Sequence, residues 1–299
     1  MKNYLITLIL LLSYTSFAQQ RCHTNEHVGS LNKKYPQYQK NRNQVNKQTI
    51  NWIESSYQDD MKSIITIPVV VHVVWNTSQE NISDQQIFSQ IDVLNADFRR
   101  TNIDAIMTPS VWSSIAADTE IEFCLASVDP NGALASGITR TQTSRTSFSL
   151  QSDAVKATST GGKDPWNQNN YLNIWVCNLS GGILGYATPP SSWNNPDDGV
   201  VIGYKYLGTL GTVQGPYNKG RTCTHEVGHW LNLDHIWGNG GNCGNDNVND
   251  TPTQEEENYN CPAFPHNPNS CGTSNSSGDM FMNYMDYTND GCMNLFTLG

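Results

Sequence analysis

The densest chemistry in the chain lies in His225-Glu226-Val227-Gly228-His229-Trp230-Leu231-Asn232-Leu233-Asp234-His235. His225 and His229 are four apart, so a helix stacks their imidazoles on one face, one turn from each other. Two ring nitrogens placed in this way can bind one metal ion. Glu226 can reach a water on that ion without being a ligand. His235 comes six residues after His229, too far along to share the face of a continuing helix. The helix must therefore stop and bend back. Asn232 suits that bend, because Asn tolerates the left-handed conformation better than any residue except Gly. Taken singly, each histidine reads as an ordinary core or surface imidazole; the pattern as a whole reads as a metal site with a base beside it.

Several elements must position this stretch. Asn218 to Leu233 is predicted as the helix that bears the site, with Asn218 as its cap. Ile64 to Trp75 is rich in β-branched residues and predicts a central strand, with His72 a core or sheet-face residue. Asp84 to Arg100 places Ile87, Ile91, Leu94 and Phe98 at helical spacing, as in a long amphipathic helix backing a sheet. Further strands are predicted at Glu120 to Ser127, Tyr171 to Leu179 and Gly199 to Tyr204, with a short edge strand in Gly182 to Ala187. Arg140 to Asn170 is polar and Gly-containing, and reads as a long surface loop.

The two ends of the chain differ from this middle. Lys2, the apolar run Leu5 to Leu12 and the small-x-small site Ser16-Phe17-Ala18 make residues 1–18 read as a secretory signal. That run is too short to span a bilayer comfortably, and no other segment could. Residues 19–62 are polar and nearly empty of aliphatic side chains, and cannot bury a core of their own. They read either as a disordered linker with a stray thiol at Cys22 or as a pro-segment whose thiolate caps a catalytic metal. A net charge of −10 with no basic run argues against nucleic-acid binding.

Beyond the metal-bearing helix the chain turns Gly-, Asn- and Pro-rich, which suggests two subdomains, 63–235 and 236–299, with the metal in the cleft between them. Cys243, Cys261, Cys271 and Cys292 can staple this irregular part, in any of three pairings. Asp246 to Thr251 offers clustered oxygens that could hold calcium or form a solvated turn. Phe281 to Tyr287 is a tight turn with two methionines and two tyrosines, suited to the apolar floor of a site. Asp286 and Asp290 would make a nearby specificity pocket acidic.

Together HEVGHWLNLDH, NLSGGILGYATPP and MNYMDYTNDGCM resemble the pappalysin family of metzincin metallopeptidases, over roughly Ile64 to the C-terminus and, more weakly, at Arg21-Cys22. The resemblance implies an α+β, metzincin-like fold: a twisted, mixed five-stranded sheet, a backing helix, an active-site helix, and an irregular disulfide-stapled C-terminal subdomain. It implies zinc on His225, His229 and His235, with Glu226 as general base and acid and Tyr287 as oxyanion stabiliser. Met285 would lie beneath the metal and Cys22 would ligate zinc in a latent form. Cys243 would pair with Cys271 and Cys261 with Cys292. Asp246, Asp250 and Thr251 would contribute to calcium binding. Gly185, Tyr186 and Ala187 would pair with an extended substrate.

The chain departs from the family at Asn232 (commonly Gly), at Asn245 and Asn249 (often acidic) and at His23 (usually Gly). It also ends at Gly299, where the family's final helix would begin, so a truncated or a naturally short chain is expected. Of the remaining cysteines, Cys124, Cys177 and Cys223 are expected as buried thiols, with Cys223 on the helix side away from zinc. The expected protein is a secreted, zinc-dependent endopeptidase made as a zymogen, monomeric, acting on peptides or proteins and free of the membrane once the signal is removed. Arg or Lys after the scissile bond is the expected preference. The alternative is a non-catalytic zinc-binding adhesin, which Glu226 and Tyr287 argue against.

Overall fold

A computed structural model describes residues 21–56, 63–191 and 195–299; the signal-like residues 1–18 lie outside them. Strand β1 (Ile65–Trp75) is the spine of the sheet, buried from Val69 to Val74 as its β-branched run requires. His72 lies within it, fully buried between the Thr139 hydroxyl at 2.8 Å and the Asn173 side-chain oxygen at 3.0 Å. Burial lowers that imidazole to about 4, so it is a neutral core residue, as the sequence suggests.

Helix α3 (Asp84–Phe98) is capped by the Ser83 hydroxyl, which accepts from the Gln86 N–H. Its Ile87, Leu94 and Phe98 lie in the core against the sheet. Strands β2 (Ile121–Leu125), β3 (Ile138–Gln142), β4 (Leu172–Cys177), β5 (Gly185–Thr188) and β6 (Gly199–Gly203) complete a six-stranded sheet. Its order is β2-β1-β4-β6-β5, with β3 also on β1, and every pair is parallel except β5 with β6. The sequence predicts five strands and leaves most of β3 in a loop. The sixth exists because β1 outruns β2, which pairs only Ile65 to Val69; β3 takes up the open edge from Val71 to Trp75.

Residues 21–56 are not a disordered linker. They form α1 (Thr24–Lys34) and α2 (Tyr38–Ser56), and Leu31 and Tyr38 are buried. The apolar partner that these helices lack in themselves is supplied by the rest of the chain. Among the described residues, no helix is long and apolar enough to cross a membrane.

Helix α4 (Arg221–Trp230) is shorter than predicted and is not capped by Asn218. Gly220 begins it at φ +76°, and a side chain there would crowd Gln90. The cap comes from far away in sequence: Asp290 Oδ2 accepts from the N–H groups of Lys219 at 2.8 Å and Arg221 at 3.2 Å. Asn232 follows the helix at φ +80°, in the left-handed conformation its sequence position calls for. The C-terminal segment is irregular and stapled by Cys243–Cys271 and Cys261–Cys292. Cys177 and Cys223 are buried thiols, Cys223 within the core. Cys124 is exposed, against expectation, because alternation along β2 turns Phe123 inward and its neighbour out.

Candidate active site

Three histidines converge as the spacing requires. His229 Nε2 lies 3.1 Å from His225 Nε2 and 3.0 Å from His235 Nε2, and all three rings are buried. Hydrogen bonds on the far nitrogens fix the tautomers of the first two. His225 Nδ1 donates to the Tyr284 carbonyl and His229 Nδ1 donates to the Leu233 carbonyl, each at 2.7 Å. The Nε2 atoms of His225 and His229 therefore present lone pairs to each other, with His235 Nε2 facing them, an arrangement that a cation between them stabilises. Burial, followed by the neighbouring imidazoles, holds His225 and His235 well below their ordinary value, and burial lowers His229 to about 4. Neutral, buried imidazoles are a fitting donor set for a metal ion. Cys22 joins them: its sulfur and the three histidine nitrogens lie within 4.8 Å of one another, and no other such group of His, Cys, Asp or Glu occurs among the described residues.

Glu226, also fully buried, sits at the rim of this cluster. Its Oε2 accepts from the Thr24 hydroxyl at 2.9 Å and from the Cys22 thiol at 3.5 Å, while Oε1 has no partner. Burial pushes its carboxyl up to about 8. Burial and the Glu226 carboxylate likewise raise the Cys22 thiol. Gly185 passes directly over Glu226, where a Cβ would come within 3.1 Å of Glu226 Cγ.

The floor is built by the methionine turn. A Cβ on Gly228 would lie 2.5 Å from Met285 Sδ, so Gly228 is the gap in α4 that admits the sulfur. Tyr287 stands beside His235 with ring centres 5.0 Å apart, and its hydroxyl donates to the Cys22 carbonyl at 2.9 Å. The N-terminal segment follows the edge strand: Cys22 bridges Gly185 in parallel, the His23 N–H donates to the Gly185 carbonyl at 3.3 Å, and the Ala187 N–H donates to the Thr24 hydroxyl at 2.8 Å. Tyr186 points the other way, its hydroxyl donating to Asp153 at 2.7 Å.

Arg21 fills a pocket beside the cluster. Its guanidinium meets Asp290 Oδ1 at 2.9 Å, donates to the Thr288 carbonyl at 2.6 Å and lies over the Tyr217 ring. Asp286 does not belong to that pocket. It accepts from Gln254, Asn258 and the Tyr287 N–H, and burial pushes it up to about 7; its work is to fold the turn. Asp246 accepts from Thr251 and Val248, and Asp250 Oδ2 accepts from the Gly299 N–H while its Oδ1 is buried without a partner.

One contributor escapes the sequence. Asp97 on α3 is 3% exposed and accepts from the Thr224 hydroxyl and the Tyr284 hydroxyl, each at 2.8 Å, and it lies 3.3 Å from the Arg221 guanidinium. It thereby ties the backing helix to α4 and to Tyr284, whose carbonyl orients His225. An acidic residue on an amphipathic helix carries no signal that it points inward.

These features match known proteins. A family described as pregnancy-associated plasma protein-A covers residues 157–299. Among curated relatives, an extracellular metalloprotease of Arthroderma benhamiae is 31% identical over 248 residues, spanning 80% of this chain and 76% of its own. Among solved structures, mature mirolysin of Tannerella forsythia in complex with a cleaved peptide is 56% identical with a TM-score of 0.76, the match covering 79% of this chain and 88% of that one. A promirolysin mutant from the same organism is 48% identical with a TM-score of 0.81, covering 94% and 91%. The chain belongs to the pregnancy-associated plasma protein-A, or pappalysin, family of metallopeptidases. It is accordingly a metalloendopeptidase, with the mixed sheet and disulfide-stapled C-terminal part of that fold.

Proposed function

We propose that this is a secreted zinc endopeptidase, held latent by residues 19–62, that cleaves before Arg or Lys. The observation that carries it is the joint placement of Cys22 at the three histidines and Arg21 at Asp290. One short stretch of the chain blocks the metal and fills a pocket made for a basic side chain. Residues 63–299 are then the catalytic body, divided at His235 into upper and lower parts. The promirolysin relative, named as a precursor, supports latency, and the extracellular relatives support export.

His225, His229 and His235 would hold zinc, which lowers the pKa of bound water toward neutrality and polarises a carbonyl. Glu226, whose carboxylate lies at the rim of the histidine cluster, takes a proton from the attacking water and delivers it to the leaving amine. Tyr287, freed from the Cys22 carbonyl, turns its hydroxyl to the substrate oxygen. Gly185 and Ala187 offer the backbone groups that Cys22, His23 and Thr24 engage in the latent chain, so an extended peptide can pair there. Met285 supports the helix from below. A calcium ion near Asp246, Asp250 and Thr251 would give the unpartnered Asp250 Oδ1 a counter-charge.

The deciding experiment is cleavage of a protein substrate by wild type, with and without a zinc chelator, and by Glu226→Ala. Wild type should lose activity with the chelator and regain it with zinc. Glu226→Ala should retain zinc and fall by at least about a hundredfold. Wild-type rates from Glu226→Ala would reject the mechanism.

A further inference from the structure

The N-terminal segment occupies a second place on the body, past the metal along β5. His27 is 1% exposed, with Nε2 3.0 Å from the Thr188 hydroxyl and 3.7 Å from Asp153 Oδ2, its ring centre 4.8 Å from that of Tyr186. Lys156 Nζ lies beneath, meeting Asp153 Oδ2 at 3.2 Å, the Thr188 hydroxyl at 2.9 Å and the Asp197 carbonyl at 2.7 Å. Further along α1, Lys34 Nζ reaches Asp197 Oδ2 at 2.8 Å. Asp198, next in sequence, is turned away to the Trp230 indole N–H.

The charges here balance only in the latent chain. The body supplies the carboxylates of Asp153 and Asp197 against the one ammonium of Lys156, and Lys34 supplies the second cation. His27 adds none: burial, then Lys156, holds it well below its ordinary value. Departure of residues 21–56 therefore leaves one carboxylate in excess, on an Asp197 side chain that is 9% exposed while Lys34 covers it and that opens when Lys34 leaves. Asp153 Oδ2 also faces the vacated socket. With His27 in place it is nine-tenths buried and, beyond its ion-pair contacts with Lys156 and His27, has no hydrogen bond.

The place has a definite position in the cleft. Arg21 and His27 lie on opposite sides of Cys22 along β5, one at Asp290 and the other at Thr188. If the Arg21 pocket takes the residue after the scissile bond, Thr188 faces residues before it. Thr188 is three residues beyond Gly185. At about 3.3 Å per residue that is roughly 10 Å, or about three residues of an extended substrate.

We propose that Asp153, Tyr186, Thr188 and Asp197 form a second subsite in the activated enzyme, one that takes a Lys or Arg side chain about three residues before the scissile bond. His27 and Lys34 fill it in the latent chain. This rests on the peptidase reading above. A basic side chain entering there restores the lost balance; an acidic one is repelled.

The test uses the activated protein and peptides with Arg after the scissile bond and Lys, Ala or Glu three residues before it. The expected kcat/KM ratio of Lys to Glu peptides is about fivefold or more in wild type, as for a partly exposed ion pair set against a like-charge contact. That ratio should shrink toward one in Asp197→Asn, and in wild type as salt is raised to about 0.5 M. Equal cleavage of Lys and Glu peptides by wild type would overturn the subsite, as would a ratio unmoved by Asp197→Asn. Should that variant not fold, a wild-type ratio indifferent to salt does the same. Failure of wild type to cleave any of the peptides would instead remove the peptidase reading itself.

Discussion

Arg21 and Asp290 form an ion pair 2.9 Å long with neither side chain exposed to solvent. Asp290 is prepared for it, since its other oxygen is fixed by two N–H groups at the start of α4. The same segment that bears His225, His229 and His235 thus sets the orientation of the Asp290 carboxylate, and the Arg221 guanidinium holds the Asp290 carbonyl at 2.7 Å. Under the proposed function, chemistry and specificity would share one scaffold.

Asp290→Asn keeps both oxygen-side hydrogen bonds feasible and removes only the charge. The activated variant should lose its preference for Arg after the scissile bond by roughly 100-fold or more in kcat/KM, the scale of an unpaired buried charge. A peptide-library profile checks it; an unchanged Arg preference would move the specificity determinant elsewhere.

Cys22→Ser replaces a thiol by a poor zinc ligand while leaving the backbone bridge to Gly185 intact. Self-activation should quicken, measured as the time for the precursor band to disappear. Unchanged kinetics would reduce Cys22 to a bystander.

Docking of the N-terminal segment should weaken in acid. Thr188 donates to the Asp197 carbonyl and accepts from Lys156, so it takes its remaining bond from His27 Nε2–H, leaving Nδ1 bare and unpartnered. A second proton has no acceptor there. Lys156 and Lys34 oppose it, while Asp197 and Asp153 favour it. His27 is therefore neutral when docked and titrates near its ordinary value of about 6.5 when free. The contribution is fully present above that pH and is lost as pH falls below it, by up to about tenfold per unit. The inhibition constant of a peptide spanning residues 19–56, taken as a ratio to its His27→Gln counterpart, should rise below about pH 6.5. A flat ratio counts against the latch.

Gly228→Ala sets a methyl against Met285 Sδ. The expected cost is about 1–3 kcal/mol, read as a lowered Tm, with partial recovery in the double variant Gly228→Ala, Met285→Ala. No recovery would mean that the sulfur is not what the methyl meets.

What the sequence reveals follows from how local each constraint is. His225, His229, Glu226 and the left-handed Asn232 are dictated within one helix and its exit, so spacing alone exposes them. The long apolar runs of β1 and α3 are legible for the same reason. Asp97, the Asp290 cap and strand β3 are not, because each is defined by a partner remote in sequence: Tyr284, Lys219 and the unpaired end of β1 respectively. The helices of residues 21–56 are hidden likewise. Leu31 and Tyr38 are too few to announce an apolar face, and they bury against the body; the Tyr38 hydroxyl donates to the Pro189 carbonyl at 2.8 Å.

Strand β5 lies at the end of the sheet order, with one side on β6. A bare strand margin of this kind recruits other chains, and newly made protein is concentrated where such recruitment does harm. Because Cys22, His23 and Thr24 already occupy the groups of Gly185 and Ala187, the margin is closed from the moment the chain folds. Under the proposed function the N-terminal segment is therefore also a guard against polymerisation, and its removal would open the margin to substrate and to unwanted partners alike.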